Sequence, residues 1–170
     1  PSYFPNMQVI GKITDIAKYS RTHYFLPAIG DNAIRQTIMS GYDVHWISAV
    51  HPSAVIAPSV SLGEGTVVMA NAVINPGSRV GRGCIINTGA TVDHDCILED
   101  FVHVSPGATL AGMVCMGERS WLGAGGIVIN NMSVCADAVI GAGSVVIRDI
   151  LHAGTYVGLP AQLLRLASLD

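Results

Sequence analysis

Aliphatic side chains recur every six residues from Val50 to Val145, without a single insertion. The first positions of these hexads run Val50, Ile56, Leu62, Val68, Ile74, Val80, Ile86, Val92, Leu98, Val104, Leu110, Met116, Leu122, Val128, Val134 and Ile140. The fifth positions are small or mid-sized, from Ala54 and Val60 through Cys84, Ala90 and Cys96 to Ser144. The third positions, among them Pro52, Pro58, Glu64, Arg82, His94, Asp100 and Gly112, are too polar and too rich in Pro and Gly to face a core. A fixed short period of this kind marks a solenoid, which buries its core by stacking. The inward pair is then the fifth residue and the first of the next hexad, two apart as a strand requires. The second to fourth residues turn a corner. Three sides close a coil of 18 residues, so that each residue stacks on those 18 before and after it. At the spacing of paired strands the coils build a prism roughly 25 Å tall. The expected fold is mainly β, a parallel β-helix.

The sixth position of each hexad lies in a strand and points outward. One column holds Val55, Val73, Thr91, Thr109, Ile127 and Val145, and a second holds Val67, Ile85, His103, Trp121 and Val139. The third column is Ser61, Arg79, Ile97, Cys115 and Ser133. Two apolar outer sides leave much greasy surface on a monomer. Packing about a three-fold axis would cover them, so a homotrimer is expected.

Residues 1–49 follow a different pattern. Tyr24 to Ile29 reads as a buried strand ending at Gly30, and Asp31 or Asn32 can cap a helix carrying Ile34, Ile38 and Met39 that Gly41 stops. Val44 to Val50 resumes as a strand, which makes a partial Rossmann-like βαβ segment, the latter half of a nucleotide-binding α/β domain. Residues 50–157 form the β-helix. In residues 158–170, after the repeat has decayed, Pro160-Ala161 opens a short amphipathic segment with Leu163, Leu164 and Leu166, a tail expected to cap the open end of the core.

Composition narrows the function. Charged residues make up 12% of the 170, and the net charge of −3 gives no basic surface for nucleic acid. No run of 18 apolar residues indicates a membrane span, and no signal-peptide pattern opens the chain. The four cysteines, Cys84, Cys96, Cys115 and Cys135, have no metal-binding spacing. Cys84 and Cys96 fall at inward positions as small hydrophobes, and free thiols suit a reducing cytoplasm.

Chemistry concentrates at one corner. Asp93, His94 and Asp95 project outward together, and a carboxylate beside an imidazole orients the ring and raises its pKa, the material of a general base. Gly112 stands one coil beyond His94, where a backbone N–H is open to an oxyanion. Polar residues are also common at solenoid corners for purely structural reasons. His103 lies half a coil further on, so a site using both histidines must combine two subunits; between Ile85 and Trp121 it could equally serve an interface. Asn87 could belong to a structural asparagine ladder. Gly30-Asp31-Asn32 at a strand-to-helix turn can hold a phosphate or simply cap the helix. His23, His45, His51 and His152 have no partners by spacing.

Val92-Asp93-His94-Asp95-Cys96, His103-Val104-Ser105-Pro106-Gly107-Ala108, the closing Val157-Gly158-Leu159-Pro160-Ala161 and Ala28-Ile29-Gly30-Asp31-Asn32 with Ile34-Arg35 occur here in order with the hexads. Together they resemble the bacterial hexapeptide-repeat sugar acetyltransferases of the nucleotide-linked amino-sugar N-acetyltransferase and sialic acid O-acetyltransferase type. The resemblance implies a left-handed coil, a hand that the period does not fix and that the general rule for parallel crossovers would reverse. It implies acetyl-CoA as co-substrate and no metal, a nucleotide-linked sugar as acceptor, and active sites between subunits. By the same resemblance His94 is the base with Asp95 beside it, and the Gly112 N–H meets the thioester oxygen. His103 and Asn87 lie in the cleft, Ala124, Ala142 and Gly143 line the pantetheine path, and Gly30 approaches the sugar nucleotide. The family's opening Gly-rich strand and helix, which hold much of the nucleotide, have no counterpart in this sequence.

Three other readings remain open at this point. One is O-acetylation of sialic acid or another sugar hydroxyl. A second is a β-helix zinc carbonic anhydrase, which needs three converging histidines where spacing offers His94 and His103 alone. The third is a non-catalytic trimeric scaffold.

Overall fold

The computed structural model describes residues 8–167. The outermost residues of the expected first and last units, 1–7 and 168–170, lie outside them. Two-residue strands recur every six residues from Ala49–Val50 to Val145–Val146, and their pairing is parallel throughout. His103 pairs with Ile85 below and Trp121 above, each 18 residues away, so the coil length expected from the hexads is the one observed. Three sheets result, of eight, six and five strands. The first face carries the strands at 49–50, 67–68, 85–86, 103–104, 121–122 and 139–140, the second those running from Val55–Ile56 to Val145–Val146, and the third those from Ser61–Leu62 to Ser133–Val134.

The interior is what the hexads dictate. From Val68 to Ile140 every first position is at most 3% exposed, and Ala72, Cys84, Ala90, Cys96, Val102, Ala108, Val114 and Ala138 fill the fifth positions at 0%. Each buried aliphatic residue contributes about 1.5–3 kcal/mol relative to an exposed one. Two inward hydroxyls tie successive coils together: Thr66 Oγ1 donates to the Gly81 carbonyl at 2.8 Å and Ser78 Oγ to the Asp93 carbonyl at 2.7 Å. Burial pushes the Cys84 thiol up to about 12, which keeps it protonated and inert.

The N-terminal segment departs from expectation. It contains a 3-10 helix, Ile13–Tyr19. Helix α1 (Asn32–Gly41) forms as expected, with Asp31 at its N-cap accepting the Ile34 N–H at 2.8 Å. The two flanking strands do not. They are reduced to one parallel bridge, Phe25 with Trp46, and Tyr24 and Leu26 are exposed. A strand becomes regular when ladders hold it and both faces are covered, and among the described residues nothing else pairs with this one. No Rossmann-like sheet is therefore formed by the described residues. Met39, Trp46 and Phe101 instead make a small second core that seats α1 on the solenoid.

That seating corrects the reading of the outer columns. Ile85 and His103, expected on an open apolar side, are each 8% exposed, while Val55, Ile127 and Trp121 on the remaining outer surface stay open. Part of the first face is thus covered by the chain itself. At the other end, Gly154–Val157 adds to the first face and turns back as the antiparallel strand Gln162–Leu166. Ile150, Tyr156 and Ala161 pack on the core. The segment from Gln162 is an edge strand whose residues are all largely exposed.

Candidate active site

The corner from Asp93 to Cys96 joins the second face to the third, and it is fixed from below by the preceding coil. Ser78, buried at the fifth position, donates to the Asp93 carbonyl and accepts the Cys96 N–H at 3.0 Å, so one hydroxyl holds both ends of the turn. Asn75 Nδ2 donates to Asp93 Oδ1 at 2.8 Å, and that oxygen also accepts the His94 N–H at 2.8 Å. These two bonds, the Asn75 amide first, hold the Asp93 carboxyl below its ordinary range. Asp95 adopts a left-handed backbone, φ 57°, and lies against Gly77, where a Cβ would collide with Asp95 Oδ1.

This turn presents His94 to solvent with Asp95 beside it. His94 Nδ1 lies 2.8 Å from Asp95 Oδ2. The Asp95 hydrogen bond, more than any other influence, raises the imidazole pKa above its ordinary 6.5. With Nδ1 donating to the carboxylate, Nε2 of the neutral ring keeps its lone pair. Nε2 faces Gly112: a Cβ built on that glycine would stand 2.6 Å from it. Gly112 is buried, and its N–H makes no hydrogen bond among the described residues. A basic nitrogen and an unpaired backbone donor therefore share one small space.

A second group forms on the first face. His103 is stacked on Trp121, ring centroids 5.4 Å apart and 2° from parallel, and the Trp121 indole N–H donates to Ser105 Oγ at 2.7 Å. Asn87 Nδ2 lies 3.2 Å from His103 Nε2 and donates to it, while the buried Nδ1, on the side of the Gly30 backbone, makes no hydrogen bond within 3.5 Å among the described residues. Burial, reinforced by the charge of Arg35 and opposed by the Gly30 backbone, brings the His103 pKa down to about 4. This ring is neutral at physiological pH. Gly30, Asn87 and His103 thus belong together. The corner that carries Asn87 continues upward through Ala124 and Ala142, whose N–H groups are unpaired among the described residues, and Gly143, whose N–H binds the Ala124 carbonyl at 2.9 Å.

The two groups occupy different sides of the prism, as the half-coil offset requires. His94 stands open, its side chain half exposed: hollows of about 460 Å³ and 440 Å³ are lined by Ser61, Arg79, Glu99 and Asp100 and by Met39, Trp46, Glu64 and Arg82, and His94 lines neither. Among the described residues no three His, Cys, Asp or Glu side chains converge as a metal site. Sequence reasoning missed Ser78, Asn75, Gly77 and Arg35. The first three stand 18 residues before Cys96, Asp93 and Asp95, so the same stacking rule that gave Gly112 could have found them.

No family model matches the sequence. Among solved structures, a perosamine N-acetyltransferase from Caulobacter crescentus, with one histidine replaced by asparagine and with CoA and GDP-perosamine bound, is 40% identical. The match covers 94% of this chain and 78% of that one, at a TM-score of 0.90. The chain belongs to the hexapeptide-repeat sugar acetyltransferases. A second member of this acetyltransferase family, the acetyltransferase domain of PglB from Neisseria gonorrhoeae, is 38% identical over 94% of this chain and 80% of its own, again at a TM-score of 0.90. UDP-N-acetylbacillosamine N-acetyltransferase of Bacillus subtilis is 40% identical over 62 residues, 34% of this chain and 28% of that protein. Matches of this kind span a third or less of the curated relatives' length. No helix among the described residues is long and apolar enough to cross a membrane.

Proposed function

We propose that this chain transfers acetyl from acetyl-CoA to the amine of a nucleotide-linked amino sugar. The observation that carries the reading is the His94–Asp95 pair set against the unpaired N–H of Gly112. The neutral amine attacks the thioester carbonyl while His94 Nε2 takes its proton. The Gly112 N–H stabilises the tetrahedral oxyanion. As the intermediate collapses the C–S bond breaks, the carbonyl re-forms on the new amide, and CoA leaves as its thiol with a proton returned by the imidazolium. A general base of this kind contributes roughly 10²–10⁴-fold, and holding two substrates side by side contributes much of the rest.

His103, neutral and held by Asn87, serves in this reading as a hydrogen-bonding wall of the acetyl-CoA cleft, not as a second base. Ala124, Ala142 and Gly143 supply a narrow main-chain track for the pantetheine arm, and Gly30 meets the sugar nucleotide. Because the two histidine groups lie on different sides of one prism, a complete cleft joins His94 of one subunit to His103 of the next. That arrangement calls for a homotrimer, wound left-handed as the family is, and the open second face and the exposed His94 support it. A cytoplasmic enzyme of surface-glycan synthesis follows, since acetyl-CoA and sugar nucleotides are both found there. The CoA and GDP-perosamine complexes of the Caulobacter relative support both the substrate class and a histidine at the centre of the chemistry.

The test is direct. The protein is incubated with acetyl-CoA and a panel of UDP-, GDP- and dTDP-linked amino sugars, and free thiol and product mass are followed. Thiol release matched by one acetyl added at nitrogen is expected for at least one acceptor. Acetylation of hydroxyl acceptors alone, or no turnover in an assembled trimer, would refute it.

A further inference from the structure

Arg35 is fully buried, yet among the described residues no carboxylate hydrogen-bonds to it. All five of its donors are used, and each goes to a neutral acceptor. Nε donates to the Gly83 carbonyl at 2.6 Å. Nη1 donates to the carbonyls of Ile29 at 2.9 Å and Gly30 at 3.2 Å. Nη2 donates to the Phe101 carbonyl at 2.9 Å and to Asn32 Oδ1 at 2.8 Å. Removing a guanidinium from water is expensive, and full use of its planar fork is what makes the burial tolerable. The acceptors fall into two sets. Ile29, Gly30 and Asn32 form the turn that opens α1. Gly83 and Phe101 stand in two successive corners of the solenoid, and Phe101 lies two residues before His103. One rigid group therefore joins the turn to the strand of the buried histidine.

We propose that Arg35 is a positioning residue: it locks the Ile29–Gly30 turn to the coil that carries His103, and so sets where the acceptor substrate lies relative to the acetyl group. The inference rests on the acetyl-transfer reading above, with Gly30 beside the sugar nucleotide. A second contact strengthens the lock: Asn32 Nδ2 donates to the carbonyls of Arg119 at 2.9 Å and Ser120 at 3.3 Å, one coil above Phe101. Lysine cannot replace this arrangement, because an ammonium on a flexible stem offers three donors and no fork. The charge remains on substitution, while the geometry is lost.

The experiment compares Arg35→Lys with Gly30→Ala in the assembled enzyme. A Cβ at Gly30 meets nothing within 4 Å, so that variant folds and probes the turn itself. With Gly30→Ala, kcat/KM for the amino-sugar nucleotide is expected to fall while acetyl-CoA binding is unchanged. With Arg35→Lys, the same constant is expected to fall about tenfold or more, the order that small misplacement of a reacting group gives. Acetyl-CoA affinity, measured by calorimetry, is expected to fall by less than kcat/KM for the acceptor, since Ala124, Ala142 and Gly143 are untouched even where His103 shifts. A purely structural Arg35 would lower the melting temperature and leave kcat/KM per folded molecule unchanged, which overturns the proposal. If Gly30→Ala has no effect, the reading of the turn fails; if it has and Arg35→Lys does not, the inference about Arg35 fails alone. Should Arg35→Lys not fold, Asn32→Ala replaces it, with a loss of about threefold expected by the same criterion and no loss overturning the proposal.

Discussion

Two histidines nine residues apart experience opposite environments. His94 sits at a corner, its side chain half exposed, with a carboxylate that favours its charged form. His103 sits in a strand, covered by the chain's own N-terminal segment, stacked on an indole and beside a buried cation that opposes its charging. The coil is the same and the residue type is the same. What differs is where in the hexad each falls, since a corner lets neighbouring side chains meet while a strand face sends them to opposite sides. The first ring is built to move a proton near neutral pH and the second to keep one fixed.

Substitutions at the two places should separate accordingly. The largest effect is expected from His94→Asn, which should lower turnover by roughly 10²–10⁴-fold with the fold unchanged, read by steady-state kinetics beside circular dichroism. A rate within a few-fold of the natural enzyme removes His94 from the chemistry. Gly112→Ala comes next. Its Cβ would lie 2.6 Å from His94 Nε2 and displace the ring, so kcat should fall by about 10²-fold with little change in acetyl-CoA affinity. Unimpaired turnover would mean that the imidazole can swing away and still work.

Asp95→Asn should cost roughly tenfold in rate and move the acid limb of kcat/KM to lower pH, because the carboxylate is what raises the His94 pKa. The base must be unprotonated, so activity is lost as pH falls through that pKa, and lowering it extends activity downward. The smallest effect concerns His103. Its folded pKa of about 4 lies below the ordinary 6.5, so between these values the unfolded chain binds the proton and the folded one does not. Stability contributed by the neutral ring is present above 6.5 and lost as pH falls towards 4. Replacing His103 with Asn should flatten the loss of stability over that window, followed by circular dichroism during urea unfolding. An unchanged slope would show that other groups govern it.

The solenoid was readable because its rule is one-dimensional: period, inward pair, corner and coil length all follow from sixteen hexads, and Gly112 above His94 follows from adding 18. Helix α1 was readable from Asp31 and Gly41. The flanking strands were misjudged because apolar content promises a strand only where partners exist, and among the described residues Phe25 alone of its segment has one, in a single bridge to Trp46. The covered state of His103 was also out of reach. It depends on Arg35 and Asn32 crossing from α1 to corners 48 to 88 residues away, and no short period records such contacts. The hexads place Trp121 next to His103 in the outer column, but not the stacking of its indole on the imidazole.

Heteronuclear NMR of the imidazole rings, followed as pH is varied, tests the central claim most directly. One ring should titrate above 6.5, vanish from the spectrum of His94→Asn, and move down in Asp95→Asn by the same interval as the acid limb of the transfer rate. A second should remain neutral to about 4 and disappear with His103→Asn. If the His94 ring titrates at or below the ordinary value, or the rate follows some other group, the assignment of the base is wrong.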